Sequence, residues 1–126
     1  ELSGSGVSGT VTFHKTNSTT TIITIQLTGT VAGNVHPAHI HGNNASAGGP
    51  IVLDLTAVDG TTGQSITTVT QLNDGTPITY EGLISFNGHV NVHKSAAELA
   101  VMVAQGNIGS NSNSIPDPNP NPNPYP

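Results

Sequence analysis

The chain has 126 residues, two lysines, no arginine, seven acidic residues and a net charge of −5. This length suits one domain with a hydrophobic core of its own. Because cysteine is absent, disulfides, thiolate zinc sites and cysteine-ligated copper centres are excluded. Binding to nucleic acid is not expected without arginine. No apolar run approaches the roughly 20 residues that would span a membrane.

The composition favours a location outside the cytoplasm. Thr, Ser, Asn and Gly supply most polar positions, a composition common in exported β-proteins. The sequence starts at Glu1 rather than Met, so we expect a removed leader or a trimmed end. We therefore expect a secreted, periplasmic or cell-surface protein.

The pattern of apolar residues predicts β-strands. Apolar and polar residues alternate in Thr10–His14 and again in Ile23–Leu27, and the polar stretch Lys15–Thr19 between them predicts a hairpin. Further strand candidates are Ile51–Leu55, Ser65–Thr70, Ile78–Phe86 and His89–His93, separated by Asn, Asp and Gly turn signals. Many short strands of this kind predict an all-β fold, an antiparallel Greek-key β-sandwich or barrel.

One segment carries a helical pattern instead. Ser95-Ala96-Ala97-Glu98 has the spacing of a capping box, in which both side chains bind free amides at a helix start. Apolar residues follow at helical spacing, and Gly106 is placed as a C-terminal cap. We therefore predict a short helix near the C-terminus, Ala96–Gln105, with Met102 in its apolar stripe as a core residue rather than a copper ligand.

The C-terminal segment differs in composition from the rest. From Pro116 to Pro126 every second residue is proline, which predicts an extended, polyproline-like conformation. We divide the chain into a β-sandwich domain, residues 1–109, and an Asn/Pro-rich tail or linker, residues 110–126. Self-association could use this tail or the edge strands of the sandwich.

Histidines are the most informative residues. Five of the six fall in two short segments, His36–His41 and His89–His93. On a strand, residues two apart share a face, so His39 and His41 point the same way, as do His89 and His93. If the two strands are neighbours, three or four imidazoles converge. Imidazole binds copper, zinc, nickel and iron, and the order of divalent affinities makes copper the first expectation and zinc the second.

We rank the candidate ligands by how clearly the strand pattern predicts the direction in which each side chain points. His39, His41 and His93 come first, and His89 follows because it shares the face of His93. His36 is the fifth candidate, since Pro37 interrupts the strand beside it. The alternative interpretation is that these histidines make hydrogen bonds or sense pH.

Several motifs resemble the chordin-type (CHRD) domain family of exported bacterial proteins. The matching segments are Gly9–Phe13, Ala38-His39-Ile40-His41-Gly42, Gly49–Leu53 and Val90-Asn91-Val92-His93. The resemblance covers roughly residues 1–109 and implies an immunoglobulin-like or superoxide dismutase-like sandwich in a secreted or surface-attached protein. Many members continue after Asn-Val-His with a strand that carries an arginine. This chain has no arginine there, and the segment is predicted to be helical.

Three functions are compatible with the sequence. The first is a module that sequesters, stores or delivers copper. The second is an enzyme, but dismutase chemistry is disfavoured because no histidine lies between His41 and His89 to bridge two metals. No arginine is present to attract an anionic substrate either. The third is a structural or adhesive subunit of a surface filament, with the histidines as a metal staple or hydrogen-bonding groups.

Overall fold

The computed structural model describes residues 5–111. Seven strands and one short helix make up this part of the chain. They are β1 (Ser8–Lys15), β2 (Thr21–Thr28), β3 (Val35–Gly42), β4 (Ile51–Asp59), β5 (Gln64–Val69), α1 (Tyr80–Ile84), β6 (Asn87–His93) and β7 (Met102–Gly109). Residues 1–4 and 112–126, with most of the predicted tail, lie outside the described residues. Within residues 5–111, no helix has the length and apolar character that a membrane crossing requires.

The strands form a nearly closed antiparallel barrel or sandwich in the order β1-β2-β5-β4-β3-β6-β7. The consecutive strands β3, β4 and β5 lie side by side, and β2 and β6 pair with their outer edges. Each flanking strand completes a Greek key. The predicted all-β fold is therefore confirmed. Strands β4 and β5 pair in register only at Asp59 and Gln64, so the sheet opens there into two layers.

The core lies between the layers and consists of aliphatic side chains from β2 to β7, with Val11 and Phe13 of β1 partly buried against it. Alternate residues of β2 face inward, and Ile23 and Ile25 are almost completely buried. From the other layer, Ile40 and Val90 are equally inaccessible. Burying such a side chain stabilises the fold by about 1.5–3 kcal/mol. The inward-facing residues of β3 and β6 thus anchor these two strands, and their other faces are available for the histidines.

The predicted hairpin between the first two strands is confirmed. Strand β1 pairs with β2 without interruption from Ser8 to Lys15, and the Thr16 amide donates to the Thr20 carbonyl across the turn. Alternation of apolar and polar residues was enough to identify both strands because each has one face on the core and one in solvent.

The helix predicted over Ala96–Gln105 is wrong, because this segment forms a turn followed by β7. The Ser95 carbonyl accepts from the Glu98 amide, and the Glu98 carbonyl accepts from the Val101 amide, so tight turns replace a helix start. From Met102 onward the chain pairs with β6. The long-range ladder and the burial of Ala104 override the local helical pattern.

The short helix lies instead within Ile78–Phe86, a segment predicted to be a strand. Helix α1 spans Tyr80–Ile84, and the Thr79 hydroxyl caps it by accepting from the Gly82 amide. Leu83 of this helix is fully buried. A threonine N-cap is the signal that could have identified this helix, but one turn is too short for a recognisable apolar period.

Candidate metal centre

Strands β3 and β6 bring the two histidine segments together. They pair antiparallel, with His41 opposite His89 and His39 opposite Asn91. The apolar residues between the histidines face the core, as Ile40 lies opposite Val90. This is the arrangement that the period of two predicted.

Three histidines form one compact group. His39, His41 and His93 each offer a ring nitrogen within 4.8 Å of the other two. The tightest approach joins His39 Nδ1 and His93 Nε2, which are 2.9 Å apart. His41 and His93 are fully buried, whereas the His39 side chain keeps 15 % of its surface exposed. The three best-ranked candidates of the sequence are thus the three that the fold brings within reach of one ion.

Backbone carbonyls from two loops fix the orientation of the buried rings. His41 Nδ1 lies 2.8 Å from the Gly49 carbonyl oxygen, and His93 Nδ1 lies 2.8 Å from the Leu99 carbonyl oxygen. Since a carbonyl only accepts, each Nδ1 carries the proton, and the lone pair of each ring is on Nε2. Metal-binding histidines in proteins are held by the same kind of second hydrogen bond. The loops 43–50 and 94–101 therefore cover the group and set its tautomers.

His89 lies beside the group without belonging to it. Its ring stacks on His41 with 5.1 Å between centroids and 15° between planes. Its Nδ1 donates to the Asn43 carbonyl at 2.7 Å. His89 thus packs against one side of the His41 imidazole, outside the group of three histidines.

His36 lies farther from the centre and has a different role. It is buried, and its Nδ1 lies 3.0 Å from the carbonyl oxygens of both His93 and Lys94. The register of β3 against β4 shifts at Pro37, between His36 and Ala38. Through these hydrogen bonds, His36 links the start of β3 to the end of β6, where His93 lies.

Asp54, which no sequence motif singled out, lies next to the group. It is opposite His39 on β4, and its Oδ1 is 3.8 Å from His39 Nε2. In the metal-free protein, His39 Nδ1–H can donate to His93 Nε2. Coordination through His39 Nδ1 would require the proton on Nε2 instead, where the Asp54 carboxylate stabilises it. Only the pairing of β3 with β4 reveals this neighbour.

The surroundings favour the neutral forms of His39 and His93. The pKa of His93 is lowered to about 4, chiefly by burial; the Leu99 carbonyl opposes this shift, and the nearby His39 and His41 rings add to it. Burial also lowers the pKa of His39, against the opposing effect of Asp54. Neutral imidazole is the form that binds metals. At neutral pH His39 and His93 therefore offer unprotonated nitrogens.

This arrangement can hold one metal ion by three imidazole nitrogens. Three protein ligands leave at least one coordination position for water or another small molecule, as in catalytic zinc sites. No cysteine or carboxylate belongs to the group. The donor set therefore suits copper and zinc and does not suit calcium or magnesium, which prefer oxygen.

Replacing the neighbouring carboxylate should weaken metal binding without abolishing it. We expect Asp54→Asn to lower affinity about 10-fold, the lower end of the effect of such outer partners. Glu81→Gln removes another exposed carboxylate, on α1, and should leave affinity unchanged. Competition against a chromophoric chelator measures both. Equal affinities for the two variants would show that Asp54 does not act on His39.

Replacing His36 should affect stability and not metal content. His36→Ala leaves the His93 and Lys94 carbonyls without this donor, which should cost about 1–3 kcal/mol of unfolding free energy. Urea denaturation measures the loss, and metal stoichiometry measured beside it should stay at the parental value. Loss of stoichiometric binding in a folded His36→Ala protein would instead place His36 among the ligands.

Comparison of the chain with known protein families, with curated proteins and with solved structures finds no match.

Proposed function

We propose that this protein is an extracytoplasmic copper-binding domain that holds one ion through His39, His41 and His93 for sequestration, storage or delivery. The observation that carries the proposal is the convergence of three imidazole nitrogens within 4.8 Å. Two of the rings are held by carbonyls of covering loops. The site thus needs little rearrangement to accept an ion.

The donor set favours copper over zinc. Among divalent first-row ions, copper binds nitrogen sites most tightly. The group offers imidazole nitrogens alone, without thiolate or carboxylate, and imidazole is among the ligands that suit copper.

The family and location remain part of the proposal. The motifs that resemble the CHRD domain, Ala38–Gly42 and Val90–His93, supply the proposed ligands from two neighbouring strands. The uncharged polar composition supports export. Dismutase activity is not part of the proposed function, since the sequence has neither a bridging histidine between His41 and His89 nor an arginine for an anionic substrate.

Competition between metals tests the identity of the ion. The purified chain is titrated with Cu²⁺ and Zn²⁺ separately, each against a chelator of known affinity. The proposal predicts one ion per chain for both and a tighter constant for Cu²⁺. Tighter binding of Zn²⁺ would replace copper with zinc, and failure of both ions to bind would leave the structural role as the surviving candidate.

A structural or adhesive subunit is the second candidate function. It is supported by an open apolar cleft between the first and last strands, which does not involve the histidines. The two functions are compatible, because the cleft and the histidine group use different parts of the domain.

A further inference from the structure

The barrel is not closed between β1 and β7. These strands are the two ends of the seven-stranded order, and their outer edges pair with no strand within residues 5–111. A cavity of about 380 Å³ lies between them and is lined by both strands. Core residues that include Ile25 and Val92 form its apolar floor. An edge with unpaired N–H and C=O groups above an apolar floor is a template for an added strand.

The inner faces of both edge strands are incompletely covered. Val11 and Phe13 of β1 face the core but are only half-buried. On β7, the buried residues Ala104 and Ile108 flank Gly106, which is exposed and lies opposite the buried Val90. A Cβ atom added at Gly106 would have no atom within 4 Å. The cleft therefore has room for apolar groups at a position where the rest of the barrel is filled.

The sequence contains a segment whose pattern fits such a cleft. From Ile115 to Tyr125, residues with a backbone N–H alternate with prolines, which have none. In an extended chain, successive N–H groups point to opposite edges and successive side chains to opposite faces. Such a strand can donate along one edge only. It presents proline rings on one face and mostly polar residues on the other.

We propose that residues 112–126 of a second copy of this chain occupy the β1–β7 cleft as an added edge strand. The backbone of the Asp, Asn and Tyr residues pairs with one edge of the cleft, and the proline rings cover its apolar floor. The proline edge faces outward and has no donors, so the sheet ends there. These 15 residues reach about 50 Å when extended, whereas an eight-residue strand such as β7 needs about 26 Å.

The exit of the chain from β7 favours a second copy over the same chain. After Gly109, the Ser110 amide donates to the Phe86 carbonyl, and the Asn111 side chain donates to Asn87 and Gly88. These partners lie at the start of β6, on the side of β7 away from the cleft. Helix α1 contacts both β1 and β7, and its Ile84 lines the cleft. Ser110 and Asn111 therefore lead the chain toward β6, at the end of the cleft where α1 lies.

When each subunit inserts its tail into the next, the contact is head-to-tail. Unless the subunits close into a ring, such contacts generate filaments. Because the contact uses neither histidines nor their loops, it is independent of the proposed metal site. Association should therefore persist in the presence of a chelator. This separates failure of the assembly proposal from failure of the metal proposal.

The test is sedimentation velocity of the full chain over a range of concentrations. The parent is expected to form species larger than a monomer as concentration rises, with and without EDTA. Gly106→Leu fills the cleft at a position with open space and should weaken association at least tenfold. Thr12→Leu places the same leucine side chain at an exposed position on the outer face of β1 and should associate like the parent. Circular dichroism checks that both variants fold.

A competing peptide identifies the occupant. A synthetic peptide of residues 112–126 should dissociate the assemblies, whereas the same peptide with Pro118→Ser, Pro120→Ser and Pro122→Ser should act only weakly. A parent that stays monomeric at every concentration would overturn the proposal, including the case in which its own tail fills the cleft. Equal association of Gly106→Leu and Thr12→Leu, or no effect of the parental peptide, would overturn it too.

Discussion

His93→Ala is expected to lower the affinity for copper by more than about 100-fold. Changes to outer partners of metal ligands alone cost about 10–100-fold, and this change removes a proposed ligand. His39→Ala should have the same effect. His39 keeps part of its surface exposed, so its loss leaves a smaller cavity than the loss of the fully buried His93. The measurement is competition of each variant against a chelator of known affinity.

The matched control is His14→Ala. His14 is exposed on β1 and belongs to none of the histidine contacts described above, so its replacement should leave affinity unchanged. Thermal unfolding of each protein separates lost binding from lost folding. Parental affinity in a folded His39→Ala protein would contradict the proposed ligand set, and so would an equal loss in His14→Ala.

Acid is expected to destabilise the metal-free protein between pH 6.5 and about pH 4. The folded protein holds His93 with a pKa of about 4, whereas an unfolded histidine titrates near 6.5. Below pH 6.5 the unfolded state therefore binds more protons, and stability falls until the folded pKa is reached. For His93 alone the loss amounts to about 3 kcal/mol. His39 and His89, whose pKa values are also lowered by burial, act in the same direction.

Urea denaturation of the chelator-treated protein at a series of pH values measures this loss. His93→Gln removes the titrating ring and should show a shallower fall over the same range. Bound copper should delay the loss, because the ion competes with protons for the same nitrogens. A metal-free parent whose stability is constant from pH 7 to 4 would show that the ring is not kept neutral by burial.

Much of the fold could be predicted because most strands have one face in the core. The alternation in Ile23–Leu27 needs no knowledge of partners, and it identified β2. The two wrong predictions, over Ala96–Gln105 and Ile78–Phe86, concern segments whose local pattern does not determine their structure. Ala96–Gln105 satisfies the local rules for a helix, but β7 completes the ladder with β6, and that contact between distant residues cannot be read from a local pattern. In Ile78–Phe86 the helix is too short for its period to show.

The site was predictable to the extent that it depends on strand geometry. His39, His41 and His93 follow from the period of two, provided that β3 and β6 are neighbours. The roles of His36 and His89 depend on loop carbonyls and ring stacking, which have no signature in the sequence. Asp54 was indistinguishable from other surface acids, because only the register of β3 against β4 places it beside His39.

Electron paramagnetic resonance of the purified protein with one equivalent of Cu²⁺ tests the central claim most directly. We predict one bound ion per chain and hyperfine splitting from three imidazole nitrogens, with one nitrogen fewer, or no specific signal, in His39→Ala. A parental spectrum identical to that of Cu²⁺ in buffer, or one unchanged in His39→Ala, would contradict the assignment of a three-histidine copper centre.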